Sequence, residues 1–176
     1  MKQFAFFLFI LWWCTTTAYA QVPVNEKTKA FQYQEVVHEE GTQADFFIRA
    51  INWVNNTYKN SAEVTQVRDP HTGIIEGNHR FRLQNSNAEG IITEGEMILY
   101  TFSLQFKEGR YRYTFGDFVV KKTSRFPLER WADPKDPEYR NDLSDVLSQI
   151  NEHISGLIKA LKEEMKPPVE VIEEDW

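Results

Sequence analysis

The sequence predicts an α+β domain: one antiparallel sheet of about five strands with two amphipathic helices on one face. Three observations predict it. Two long strand-like runs flank Glu108-Gly109, two other segments repeat apolar residues at steps of three and four, and turn residues punctuate the rest. The expected element order is β-α-β-β-β-β-α.

Before the first element comes an export signal. Met1 and Lys2 give a positive start, Phe4 to Trp13 an apolar run, and Ala18-Tyr19-Ala20 a small-residue cleavage site. A run of about ten residues is half what a bilayer-spanning helix needs. Residues 1–20 therefore read as a signal peptide cut after Ala20, and a lipid anchor on Cys14 is disfavoured by the bulky Trp13 before it. Cleavage removes Cys14, the single cysteine, so packing and not disulfides must hold the mature chain. Because Lys2 is the signal's one charge, the formal balance moves from −6 to −7. A chain this acidic gains nothing from the counterion release that drives nucleic-acid binding, and it suits anionic membrane surfaces poorly. The 156 residues that remain fit a single domain.

Residues 21–29 are a polar lead-in, and the domain is expected over 30–166. A first strand spans Ala30 to His38 on the β-formers Tyr33, Val36 and Val37. Thr42 to Asp45 form a capping box, after which Phe47, Ala50, Ile51, Val54 and Tyr58 make a helical stripe with Phe46 and Trp53 at its edges. Glu63 to Arg68 and Ile74 to Gln84 read as strands joined by the loop Asp69-Pro70-His71-Thr72-Gly73. In the second, Ile75, Gly77, His79, Phe81 and Leu83 share one face, and Glu76, Asn78, Arg80 and Arg82 the other. Asn85 to Gly95 reads as a flexible polar link.

Met97 to Lys107 and Arg110 to Val120 form the clearest hairpin. With Glu108-Gly109 as the turn, partners sum to 217, which sets Phe106 against Tyr111, Leu104 against Tyr113 and Phe102 against Phe115. The alternate positions pair Gln105 with Arg112 and Ser103 with Thr114. A one-residue slip would destroy this separation of faces. The same rule places Asp117 opposite Tyr100, pointing to the apolar face at the sheet end. Lys121 to Pro134 is irregular, with Phe126-Pro127-Leu128 and Trp131 folding over the core edge. Asp136-Pro137-Glu138 is expected to open the last helix, whose stripe runs from Leu143 through Val146, Leu147, Ile150, Ile154, Leu157, Ile158 and Leu161 to Met165. A greasy sheet nearby makes intramolecular packing the expected use of that stripe, ahead of a coiled coil. Pro167-Pro168 ends the helix, and residues 167–176 form an acidic tail.

Several phrases resemble a known family: Val22-Pro23-Val24, Gln34-Glu35-Val36-Val37, the arm Gly109-Arg110-Tyr111-Arg112-Tyr113-Thr114 ending in Asp117-Phe118, and Trp131-Ala132-Asp133-Pro134. They resemble a domain-of-unknown-function family of exported Gram-negative bacterial proteins described as having a TBP-like fold. The resemblance implies that fold and an envelope setting. It implies no activity and no catalytic residue. DNA binding is not carried over, because that function rests on a duplicated, basic saddle with inserted phenylalanines, and this chain is a single acidic copy.

The sequence shows no zinc spacing among His38, His71, His79 and His153, no nucleophile elbow, no phosphate loop and no dinucleotide fingerprint. No cofactor is expected. His38-Glu39-Glu40 reads as a solvated strand end, His79 as a hydrogen-bonded core or edge histidine, and the acids Asp133, Asp136, Glu163 and Glu164 as capping or solvating groups. The candidate binding face is Arg80, Arg82, Gln105 and Arg112, with Arg110 nearer the turn: a basic stripe on an otherwise polar sheet face. The leading functional expectation is a non-catalytic envelope module that binds an envelope protein or an anionic small ligand. The competing one is a small hydrolase or lyase built on carboxylates brought together only by folding.

Overall fold

The computed structural model describes residues 22–87, 89–122 and 124–168. The segment expected to be an export signal, with its expected cut after Ala20, and the tail beyond Pro168 lie outside the described residues. In chain order the elements are β1 Tyr33–His38, α1 Gln43–Thr57, the single turn α2 Ser61–Val64, β2 Thr65–Asp69, β3 Ile74–Ser86, β4 Ile92–Lys107, β5 Arg110–Lys121, β6 Arg125–Pro127, a 3-10 turn Leu128–Trp131, and α3 Leu143–Glu164. The sheet is antiparallel in the order β1-β5-β4-β3-β2. β1 pairs with residues 110–115 of β5 and β6 with residues 119–121, so the two short strands lie end to end along one edge.

The central hairpin has the expected register. Phe106 pairs with Tyr111, Leu104 with Tyr113, Phe102 with Phe115 and Gln105 with Arg112. All six apolar partners are buried, each contributing about 1.5 to 3 kcal/mol before chain entropy is counted. Beyond Thr101, paired with Gly116, the register shifts: Leu99 faces Val119 and Ile98 faces Val120. The extra residue makes a bulge in which Asp117 takes a φ of 50°. This overturns the placement of Asp117 on the apolar face. Its carboxylate points outward and accepts a 2.8 Å hydrogen bond from Thr101 Oγ1, while Phe118 takes the buried position.

Both long helices contact the inner face. The Thr42–Asp45 capping box starts α1. Its buried stripe is Phe46, Ala50, Trp53 and Val54, with Phe47 and Ile51 at the margin, so the face is rotated from the expected one. Large rings decide the rotation: Phe46 packs on Tyr111 at 5.6 Å and Trp53 edge-on to Phe102 at 5.8 Å. α3 buries Val146, Ile150, Ile154 and Leu161, and Arg49 of α1 donates to the Met165 carbonyl at 2.8 Å.

Other boundaries differ from expectation, each for a local reason. The lead-in belongs to the fold, since Val22 is buried and Pro23 accepts a backbone bond from Gln32. Glu63 lies in α2, not in a strand. The link after Gln84 is the tip of a longer β3-β4 hairpin, closed where the Asn87 side chain accepts from the backbone of Glu89 and Ile91. Phe126, Leu128 and Trp131 do cover the core edge, with Arg125–Pro127 added as β6. α3 begins at Leu143 and not at Asp136. Asp136 instead holds Arg130 through two hydrogen bonds, and Arg140 lies 4.4 Å over the Trp131 ring while pairing with Glu96 and Asp142. These tertiary partners outweigh the local helix-start signal.

Candidate functional site

The site follows from where β3 loses a neighbour. β2 pairs with β3 only as far as Thr65 opposite Gly77. There the chain leaving α2 crosses so closely that a methyl on Gly77 would meet the Val64 carbonyl oxygen and lie 2.5 Å from the Phe102 ring. From Asn78 onward β3 pairs with β4 alone. At Gln84 a side chain closes the edge: Gln149 of α3 accepts from the Gln84 N–H at 2.8 Å and donates to its carbonyl at 2.9 Å. Gly73 accepts from the Phe106 N–H of β4, and the register then runs unbroken from Ile74 to Arg82, so by alternation the backbone groups of Arg80 and Arg82 face away from β4. Among the described residues, neither has a backbone partner on that side.

The outer face at this end is cationic. One row across the sheet reads Arg82, Met97, Lys121, Arg125, and the next reads Arg80, Leu99, Val119, Pro127. Three strand spacings span about 14 Å. A groove of about 610 Å³ gathers Arg80, Lys121, Arg125 and Lys59 over half-buried Leu99, with Glu63 as its carboxylate. Among the described residues these four cations make no ion pair, whereas Arg82 reaches Glu94 at 3.2 Å and Lys122 reaches Glu138 at 3.3 Å.

Beneath the same edge lie two histidines. His79 packs against Tyr58 at 4.8 Å, and His153 of α3 stacks on Phe81 at 4.2 Å. His79 Nδ1 and His153 Nε2 are buried with no hydrogen-bond partner among the described residues, so the expected hydrogen-bonded histidine is not found at that atom. Burial, aided by the Arg80 charge for His79 and by His79 for His153, lowers both imidazole pKa values. Burial also raises Tyr58, and Tyr100 to about 12. A second groove of about 600 Å³ runs along this edge, lined by Phe81, Arg82 and Gln84 of β3 and by Gln149, Glu152 and His153 of α3.

The four residues expected to form one stripe separate into two groups. Gln105 accepts from Arg112 at the hairpin-turn end, beside Val36, Lys107 and Arg110 in a groove of about 220 Å³. Arg80 and Arg82 lie at the other end. Leu99, opposite Arg80, stands six positions from Gln105 along β4, about 20 Å away. Lys121 and Arg125 were missed because the sequence reading put both in an irregular segment after the hairpin, whereas the bulge carries Lys121 to the outer face and β6 sets Arg125 beside it. Lys59 was missed because it lies in a loop whose place is set by α1.

The acids keep structural posts. Asp133 accepts from the Lys135 backbone, Asp136 holds Arg130, and Glu163 pairs with Lys166. Among the described residues no three metal-ligating side chains converge, His38-Glu39-Glu40 included. No helix of the described residues is long and apolar enough to cross a membrane.

Two solved structures share the fold. A TBP-like protein from Parabacteroides distasonis superposes with a TM-score of 0.58 at 13% identity, covering 80% of this chain and 97% of that one. A DUF4468 family protein from Bacteroides ovatus gives a TM-score of 0.65 at 12% identity, covering 84% and 93%. No curated protein matches the sequence. The family model for DUF4468, a domain of unknown function with TBP-like fold, matches residues 33–121, from the start of β1 to the end of β5 and so across the whole free stretch of β3. By that match, over half its length, the chain belongs to the DUF4468 family.

Proposed function

We propose that this domain is a non-catalytic binding module of the bacterial cell envelope, exported by its N-terminal signal, that takes an anionic partner at the Arg80 end of its open sheet face. One observation carries the reading. In a chain with 26 acidic and 20 basic residues, the groove collects Lys59, Arg80, Lys121 and Arg125 without an ion-pair partner among the described residues. Unpaired cations around a partly apolar floor keep a local positive potential that neighbouring carboxylates would otherwise cancel. Arg112, already bonded to Gln105, and Arg82, paired with Glu94, play a secondary part. The partner class is an envelope protein or an anionic small ligand, and nucleic acid is not expected from the overall charge.

The carboxylate-enzyme reading lacks a comparable feature. Among the described residues, every carboxylate with a perturbed pKa is lowered by hydrogen bonds: Glu35 by Lys162 and Tyr113, Asp45 by Thr42, Asp69 by Thr72, Asp136 by Arg130, and Asp142 by Arg140. A general acid needs the opposite shift.

The test is an NMR titration of the mature chain, residues 21–176, with citrate and pyrophosphate. Shifts should cluster at Arg80, Lys121 and Arg125, weaken with salt, and vanish in the triple variant Arg80→Gln, Lys121→Gln, Arg125→Gln. Scattered shifts, or shifts indifferent to that variant, would remove the reading. N-terminal sequencing of the secreted product should begin at Gln21, and an uncleaved product would remove the export part.

A further inference from the structure

We infer that the free stretch of β3 accepts an extended polypeptide segment of alternating acidic and apolar residues as an added strand. This rests on the reading above and goes further, because it names the partner and the atoms that bind it.

An edge strand offers unpaired N–H and C=O groups that a second chain matches only in extended form. Here the open stretch is bounded at both ends. Below Asn78 the edge is occupied by β2, and at Gln84 the Gln149 amide supplies a donor and an acceptor in place of a strand. Between them the backbone groups of Arg80 and Arg82 face outward. A strand laid there places alternate side chains on opposite faces. Those on the outer face come opposite Arg80, with Lys59 close by, and opposite Arg82, which Glu94 already pairs in part, and so favour carboxylates chiefly at Arg80. Those on the inner face come against half-buried Phe81 and His79 and the Phe81-His153 stack, and favour apolar groups. The groove of about 610 Å³ borders this edge at Asn78, His79 and Arg80, and the groove of about 600 Å³ borders it at Phe81, Arg82 and Gln84.

The edges of β1 and β2 do not offer the same pattern. β1 carries Glu35 and is followed by Glu39 and Glu40, so its charge repels an acidic strand. β2 mixes Arg68 with Asp69, and the Asp69 carboxylate is engaged by His71 and Thr72.

The test uses the mature chain and three peptides, each acetylated and amidated. The parent is Val-Glu-Val-Glu-Val-Glu-Val. The second is N-methylated at every Glu, and the third at the three Val residues that follow a Glu. A strand paired along one edge uses the N–H groups of one alternate set only. One methylated peptide should therefore lose about tenfold or more in affinity and the other should bind like the parent. Arg80→Ala with Arg82→Ala should weaken the parent, and Gln149→Ala, which frees Gln84, should tighten it. Equal binding of the two methylated peptides would overturn strand addition while leaving an anion-binding face in place. No binding of the parent, with citrate and pyrophosphate still binding, would also overturn it and leave Arg80 and Arg82 as guards against edge-to-edge aggregation. Failure of all the probes would remove both readings.

Discussion

Gly77→Ala tests the packing that ends β2 and so creates the free edge. The substitution adds one methyl, and the position does not have the positive φ at which a side chain is strained. Backbone preference alone would therefore favour alanine in a strand by about 0.5 to 1 kcal/mol. Packing opposes it. The new Cβ would lie 2.5 and 2.7 Å from two atoms of the Phe102 ring and nearer still to the Val64 carbonyl oxygen, where ordinary contacts begin at 3.4 Å. Phe102 is fully buried between Trp53, Tyr58 and Phe115, and Val64 O belongs to the backbone, so neither yields by a simple rotation. Overpacking of this kind costs about 1 to 3 kcal/mol. The upper part of that range should prevail, giving a net loss of about 2 kcal/mol, or roughly 4 to 8 °C in Tm for a domain of this size. Urea unfolding followed by circular dichroism should show a lower midpoint at unchanged slope. Adding Phe102→Leu should recover only part of the loss, since the carbonyl clash remains. A Gly77→Ala protein as stable as the parent, or more so, would show that Val64 does not press on β3 and would refute the account of why β2 stops there.

Two further outcomes follow from the described geometry. His79 and His153 are held below the ordinary value of 6.5 by burial, so below pH 6.5 the unfolded chain binds protons that the native chain does not. Stability should fall as pH drops from 7 toward 5, the double variant His79→Gln, His153→Gln should flatten that fall, and urea midpoints that do not move over this range would contradict the placement of the two rings. Arg140→Lys keeps the charge but loses the plane over Trp131 and the forked contact with Asp142, and it should cost about 1 kcal/mol, seen as a Tm lower by roughly 2 to 4 °C. An unchanged Tm would mean that the loop before α3 is not pinned by this side chain.

Residues that act on near neighbours were legible. The Thr42–Asp45 capping box and the 217 register of the central hairpin are local rules, and both appear as read. The start of α3 was not legible, because Asp136 has two competing uses and the winning one depends on Arg130 being brought within reach by the 3-10 turn. The candidate site lies between these cases. The outward set Glu76, Asn78, Arg80 and Arg82 was readable from alternation, but its association with Gln105 and Arg112 ignored the length of a strand.

By itself the sequence determined the α+β class, the strand-turn-strand register, the amphipathic helices and which face of β3 carries arginines, because period and turn chemistry are properties of neighbouring residues. Tertiary structure alone decided which cations meet. A single bulge at Asp117 carries Lys121 to the outer face, β6 brings Arg125 beside it, and the crossing of Val64 over Gly77 leaves Arg80 at an open edge. Each of those depends on a contact between segments far apart in the chain, where the fit of volumes, and not local preference, sets the outcome.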